Sequence, residues 1–286
     1  MKKVLVQLDS DKFASVFDTI AAYDSGADQI LQYGSVTPED VQDLVYGAIF
    51  TRGPEDLKNS AVFIGGSDVA VGEEMLGVAR DSFIGPLKVS VMLDANGCNT
   101  TAAAAVAKML ASADLIGKPV TVLAGTGPVG IRAAALFAKE GAEVTLTSRS
   151  RERAEEAAAS IQKRFGVDVK GVAAPDDEGL RSALDGARAV LCAGAAGVTL
   201  LPESIWIEHP TLQVLGDVNA VPPLGIEGIK VHWKGKEKHG KIIYGAIGIG
   251  DFKMKVHHAS VARLFEQNDL ILDAEEVYAT AKELLT

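Results

Sequence analysis

The chain has 286 residues, 48% of them hydrophobic and 23% charged, with 29 glycines and a formal net charge of −10. That length accommodates two domains of ordinary size, and the composition suits a globular α/β protein with a large core. The acidic balance excludes a general nucleic-acid binder, which needs a basic footprint. Cys98 and Cys192 lie far apart and outside metal-ligand spacing, so they read as reduced thiols, and no metal site is expected. No uninterrupted apolar stretch approaches membrane-spanning length, and the short apolar run after Met1 reads as a strand and not a signal peptide. A cytoplasmic protein with no membrane partner is the expectation.

In chain order, Val4–Leu8 is predicted as a strand, Phe13–Tyr23 has helical spacing, and Gln29–Tyr33 is a second strand. Thr37-Pro38-Glu39-Asp40 gives an N-cap, a proline at the first helical position and acids in the first turn. The helix that follows carries Val41, Leu44, Val45 and Ala48 on one face. Ala61–Ile64 is a third strand, Ser67 or Asp68 opens a helix through Ala79, and Leu87–Leu93 is a fourth strand. Such alternation predicts an open, mostly parallel sheet covered by helices. The polar loop Asp94–Thr101 follows, with Asp94, Asn96, Thr100 and Thr101. It stands where open α/β sheets bind ligands, beyond the carboxyl end of a strand. It reads equally as a cap cluster, with Asn99 or Thr100 opening the alanine-rich helix Ala102–Ala113.

A second α/β unit begins at Lys118. Val120–Leu123 is a buried strand running into Gly125-Thr126-Gly127-Pro128-Val129-Gly130, and a helix is expected over Ile131–Glu140. The spacing G-x-G-x-x-G between a strand and a helix is the phosphate turn of a Rossmann-type dinucleotide-binding fold. The next strand, Glu143–Thr147, ends in Ser148-Arg149, where an NAD-binding domain usually carries an acid for the ribose hydroxyls. A hydroxyl beside a guanidinium suits a 2′-phosphate instead, which favours NADP as the cofactor. Further on, a helix over Glu152–Phe165, a strand at Val169–Ala173, a helix over Asp176–Leu184 and a strand at Ala187–Cys192 are predicted. Ala193 and Gly194 then let a cofactor ribose or nicotinamide approach the backbone, though such small residues also serve tight packing alone. Leu212–Asp217 is another strand, ending in the loop Val218–Gly225, and Lys234–Lys238 reads as a solvated turn. Tyr244–Gly250 is read as a glycine-rich loop, capped by Asp251, before a helix from Phe252. On that helix Lys253, His257 and Ser260 share a face, and Lys253 would stand in the first turn against the helix dipole.

No nucleophile elbow, zinc-protease helix or P-loop is present, and no acid–base constellation stands out. Oxidation of an aminal carbon needs none, because adjacent nitrogen lone pairs stabilise the cation as hydride leaves; positioning and electrostatics suffice. Six stretches carry a resemblance along nearly the whole chain: Ser15–Asp18, Tyr23–Asp28, Met92–Gly97, Leu123–Gly130, Asn219–Ile226 and Gly245–Gly250. In them the chain resembles the NADP-dependent methylene-tetrahydromethanopterin and methylene-tetrahydrofolate dehydrogenases of bacterial one-carbon metabolism. The resemblance implies hydride transfer from the methylene carbon of a reduced pterin to NADP, giving the methenyl form. It implies a pterin-binding α/β domain of residues 1–101 plus about 268–286, a Rossmann NADP-binding domain of residues 102–267, a cleft between them for the pterin, and a homo-oligomer. Phe17 and Asp18 would lie near the pterin, the Asp94–Thr101 loop would line its pocket, and Lys253 would sit near the reacting centre, orienting the substrate. Ser148 and Arg149 match the family's 2′-phosphate position, and Asn219 and Gly248 join the cofactor set. The related folate dehydrogenase–cyclohydrolases carry Tyr-x-x-x-Lys; here Ala27 stands four positions after Tyr23, so no cyclohydrolase activity is expected. Two other readings stay open: a shikimate dehydrogenase-like enzyme using Lys253 with Asp18 or Asp94, and a non-catalytic NADP sensor.

Overall fold

The computed structural model describes all 286 residues, Met1–Thr286. They form two compact units, one of residues 1–100 with 254–284 and the other of residues 101–253. Residues 254–267, expected with the second domain, cluster with the first. In chain order the strands are β1 (Val4–Asp9), β2 (Gln29–Tyr33), β3 (Ser60–Gly65), β4 (Ser90–Leu93), β5 (Pro119–Leu123), β6 (Glu143–Ser148), β7 (Lys170–Ala173), β8 (Ala189–Cys192), β9 (Val214–Asp217), β10 (Lys234–Lys238), β11 (Lys241–Tyr244) and β12 (Ile271–Leu272). The helices are α1 (Val16–Asp24), α2 (Pro38–Ile49), α3 (Val69–Asp81), α4 (Cys98–Leu110), α5 (Pro128–Lys139), α6 (Arg151–Phe165), α7 (Asp177–Ala183), α8 (Glu203–Trp206), α9 (Ala246–Arg263) and α10 (Ala274–Glu283). No helix is long and apolar enough to cross a membrane.

The first unit is a five-stranded parallel sheet in the order β12-β4-β3-β1-β2. The order reverses direction between β1 and β3, so the carboxyl ends of those strands border the crevice where a doubly wound fold binds its ligand. β3 and β4 are buried throughout, as a sheet covered on both faces requires. Helix starts follow local chemistry: Ser15 accepts from the Asp18 N–H to open α1, a Thr37–Asp40 capping box opens α2, and Asp68 accepts from Ala70 and Val71 to open α3. The terminal helix α10 packs within this unit, with Val277, Tyr278 and Ala281 buried.

The second unit is a seven-stranded sheet in the order β10-β11-β9-β8-β5-β6-β7, parallel except for the edge strand β10. Without β10 this is the Rossmann order, with its reversal between β5 and β8. Residues 234–238, expected as a solvated turn, are a strand because Lys241–Tyr244 returns antiparallel beside them. The stretch 245–250, expected as a loop, lies in the opening of α9. Its leading N–H groups are satisfied by backbone carbonyls, Gly245 on Trp233 (2.9 Å) and Ile247 on Val231 (2.8 Å). Asp251 is therefore no cap; it pairs with Lys234. Lys253 stands in the third turn of α9 and not the first, so the helix-dipole argument does not apply to it.

The glycine turn after β5 serves two purposes that substitution separates. A Cβ on Gly130 would stand 2.5 Å from the Gly125 Cα and carbonyl oxygen, and a Cβ on Gly127 would meet nothing within 4 Å. We expect Gly130→Ala to destabilise the protein by about 1–3 kcal/mol through overpacking, and Gly127→Ala to leave the unfolding midpoint in urea close to wild type. A midpoint for Gly130→Ala equal to that of wild type would refute the packing role.

Candidate functional site

In the second unit the carboxyl ends of β5, β6 and β8 come together. After Leu123 the chain turns through Ala124 at φ 49°, a left-handed conformation unusual for a residue with a Cβ. β6 holds this turn in place: Ala124 N–H donates to Thr147 Oγ1 (3.0 Å), and Gly125 N–H to the Thr147 carbonyl (3.0 Å). Gly127 is the N-cap of α5 and Pro128 its first residue, one position at which proline costs the helix nothing. The first-turn N–H groups of α5 thus face the opening that a Cβ at Gly127 would enter, a position suited to phosphate. Thr126 and Val129 flank that opening, both half-buried.

A cleft of about 240 Å³ runs beside the turn, lined by Ala124, Ser148, Arg149, Pro175, Asp176 and Thr199 among others. Ser148 is buried and its Oγ accepts from the Ser150 N–H (3.4 Å), whereas Arg149 is exposed. Ser150 in turn caps α6. The expected Ser148-Arg149 pair and Ala124, the residue that leads into the glycine turn, therefore line one cleft. Ala193 donates to the Leu123 carbonyl at 3.1 Å, and a Cβ on Gly194 would meet the Leu200 side chain at 2.7 Å, so segment 193–200 packs closely on the end of β5. Gly248 has a packing role: a Cβ there would run into the Trp233 carbonyl.

Asn219 is held within its own loop, accepting from Val221 N–H (2.9 Å) and donating to the Pro223 carbonyl (3.1 Å). Beneath that loop lies Asp217, fully buried, which accepts from the N–H groups of Asn219 (2.9 Å) and Ile226 (3.0 Å). Burial raises the Asp217 pKa above the ordinary carboxylate value, against the pull of its backbone donors. The folded state therefore takes up this proton before the unfolded chain does. The stabilisation is complete below the unfolded pKa and is lost as the pH rises through the folded one. Asp217→Asn would place an amide N–H against a backbone N–H, and it removes the titration. We expect it to lower stability at pH 7, and the gap from wild type to widen as the pH is lowered toward 4, in urea titrations at each pH. A gap that narrows on acidification would contradict this assignment.

In the first unit the start of α1, strand β3 and the residue after β4 bring Phe17, Asp18, Phe63 and Asp94 to His257 of α9. This histidine is fully buried, with Nδ1 3.4 Å from Asp94 Oδ2 and Nε2 4.0 Å from Asp18 Oδ1. Its ring lies edge-on to Phe17 (centroids 6.1 Å) and tilted against Phe63 (5.7 Å). Phe17 is half-exposed at the start of α1, a position open to a planar ligand. Asp94 is locked by the Thr100 N–H (3.0 Å) and the Thr100 hydroxyl (2.6 Å). The loop 94–101 is thus chiefly a scaffold. α4 begins at Cys98, so Asn99 and Thr100 lie inside its first turn and neither is its cap. Asn99 instead donates to the Leu93 carbonyl (2.6 Å) and to Asp273 (2.9 Å). Asn96, exposed and at φ 52°, and half-buried Thr101 are less enclosed than Asp94 and Thr100.

Phe17, Asp18 and Asp94, expected near the substrate, are thus gathered around one buried imidazole. In the sequence His257 stands out only by sharing a helix face with Lys253, because both of its carboxylates come from distant segments. Asp9 carries no sequence signal either; buried at the end of β1, it accepts from the N–H groups of Asp11 and Ser15, both at 2.9 Å. Cys98 and Cys192 are buried and unbridged, and burial pushes the Cys192 thiol up, away from reactivity.

A family model described as methylene-tetrahydromethanopterin dehydrogenase, N-terminal, matches residues 16–96. The bifunctional protein MdtA of Methylorubrum extorquens (strain AM1) is 48% identical over 285 residues, covering 99% of both chains. A second protein of that organism, named NAD(P)-dependent methylenetetrahydromethanopterin dehydrogenase, is 34% identical over 293 residues, again covering 99% of both chains. Among solved structures, a shikimate 5-dehydrogenase from Mycobacterium fortuitum aligns with a TM-score of 0.52 over 98% of each chain at 13% identity, a likeness of fold alone. With relatives matched end to end and the family's N-terminal model on the first sheet, the chain belongs to the methylene-tetrahydromethanopterin dehydrogenase family and is an oxidoreductase of that type.

Proposed function

We propose that the protein transfers a hydride from the methylene carbon of methylene-tetrahydromethanopterin to NADP, giving the methenyl form, and that it lacks cyclohydrolase activity. The observation that carries this reading is the end-to-end likeness to a relative named for that reaction, on a chain whose glycine turn is hydrogen-bonded to Thr147, next to Ser148-Arg149. NADP, when bound, supplies the hydride acceptor. The residues fit it: the opening at Gly127 admits the pyrophosphate against the start of α5, and β6 ends in Thr147-Ser148 with no acid of its own to take the ribose hydroxyls. Arg149, exposed at the mouth of the cleft, engages that phosphate bidentately, and Ser148 adds a hydroxyl.

On the substrate side Phe17 lies along the pterin ring, Asp18 accepts from its N–H edge, and Lys253 orients the substrate and sets the field at the methylene carbon. None of them abstracts a proton. The two nitrogens flanking the methylene carbon stabilise the cation as the hydride leaves, so the chain's own work is orientation and exclusion of water. Tyr23 has no lysine four positions on, where Ala27 stands, which supports the absence of hydrolysis.

The deciding assay follows NADP reduction with methylene-tetrahydromethanopterin, methylene-tetrahydrofolate and shikimate. Turnover of a methylene carrier is expected; turnover of shikimate alone, or binding of NADP with no turnover, would sink the proposal. Arg149→Ala should raise the KM for NADP roughly ten- to a hundredfold, the worth of a charge-assisted hydrogen bond, and leave the KM for NAD nearly unchanged. Equal losses for both would remove the 2′-phosphate role. Lys253→Ala should lower kcat/KM for the methylene carrier, and unchanged kinetics would take that residue out of the site.

A further inference from the structure

We propose that His257 is a positioning residue: it links the fixed carboxylate of Asp94 to that of Asp18 and thereby holds Asp18 and Phe17 in place for the pterin. The inference rests on the reading above, in which Phe17 and Asp18 meet the reduced pterin.

His257 is fully buried, yet neither ring nitrogen makes a hydrogen bond. That arrangement is costly, and an apolar side chain of similar size would avoid it. The ring's surroundings are nonetheless ordered. On one side, Asp94 is immobilised by both the N–H and the hydroxyl of Thr100. On the other, Asp18 stands at the first turn of α1 with its side chain 17% exposed, so this end of the line can reach a ligand. Phe17 and Phe63 hold the imidazole between them. The two carboxylates face opposite nitrogens, so the three groups form a line and do not converge as metal ligands would.

Two further titratable side chains lie close by, and Lys253 stands one turn earlier on α9. Asp9 approaches the same crevice, 3.4 Å from the point where a Gly65 Cβ would stand and where Asp18 lies at 3.7 Å. Its oxygens are occupied by the N–H groups of Asp11 and Ser15. His258, the next residue, lies edge-on with centroids 6.5 Å apart. The separations of 3.4 and 4.0 Å are each one small movement from a hydrogen bond. Site hydrogen bonds that are long without ligand commonly tighten in the substrate complex. A pterin offers adjacent N–H donors on its pyrimidine edge. A carboxylate with one oxygen fixed by His257 presents the other to that edge in a single orientation, and Phe17 is set beside the ring system.

The test compares wild type, His257→Leu and His257→Gln by kinetics with methylene-tetrahydromethanopterin and NADP and by thermal unfolding. Removing an unsatisfied buried imidazole should leave His257→Leu unfolding at or above the wild-type temperature. Its KM for the carrier should rise by roughly tenfold or more, the KM for NADP should stay within about twofold, and His257→Gln should recover part of the loss. A merely structural histidine predicts the opposite: either unchanged carrier kinetics in His257→Leu, or equal losses for both substrates with lowered unfolding temperature. Either result overturns the proposal. Should His257→Leu fail to fold, His257→Gln and Asp94→Asn decide by the same KM comparison. Wild-type protein inactive on every methylene carrier would defeat the functional reading and this inference with it; an active wild type with unaffected variants defeats the inference alone.

Discussion

A carboxylate taken out of water must be met by donors, and this chain uses that requirement at the carboxyl ends of strands in both sheets. Asp9 ends β1, Asp94 follows β4 and Asp217 ends β9, and all three are buried. Asp9 gathers the N–H groups of Asp11 and Ser15, Asp94 the N–H and hydroxyl of Thr100, and Asp217 the N–H groups of Asn219 and Ile226. Each strand end thereby dictates the course of the loop that follows it, because an unmet buried carboxylate costs far more than the loop gains by straying. The loops that would contact ligands are thus shaped from beneath.

The glycine turn works by a different constraint. Gly125 and Gly130 are packed against each other and against Leu146, which brings the start of α5 over the end of β5. Only Gly127 has space in front of it, so one motif divides into two glycines for packing and one for access. In α9 the division falls the same way: Gly245 and Gly248 are filled against the backbone of residues 230–233. Glycine there serves packing of the helix start, with the exposed N–H groups already taken by Val231 and Trp233.

Much of this architecture was legible along the chain. The alternation of strands and helices, the capping residues at Thr37 and Asp68, and the strand–turn–helix around Gly125 all rest on interactions within a few residues. The misreadings came where a local preference was overruled from a distance. Glycines at 245–250 disfavour a helix by themselves, yet carbonyls from residues 231 and 233 satisfy its first turn. Lys234–Lys238 has the composition of a solvated turn and becomes a strand only because β11 lies beside it. Asn99 and Thr100 look like caps, but the carboxylate of Asp94 acts one turn earlier.

The sequence by itself determined the fold class, the strand–glycine turn–helix around Gly125 and the absence of an acid at the end of β6, since spacing and residue chemistry along one segment suffice for each. Only the tertiary structure decided that His257 lies between Asp94 and Asp18 and that buried aspartates shape the site loops. Those relations join residues as far apart as α1 and α9, and no periodicity within either segment records which partner the folded sheet will bring to it.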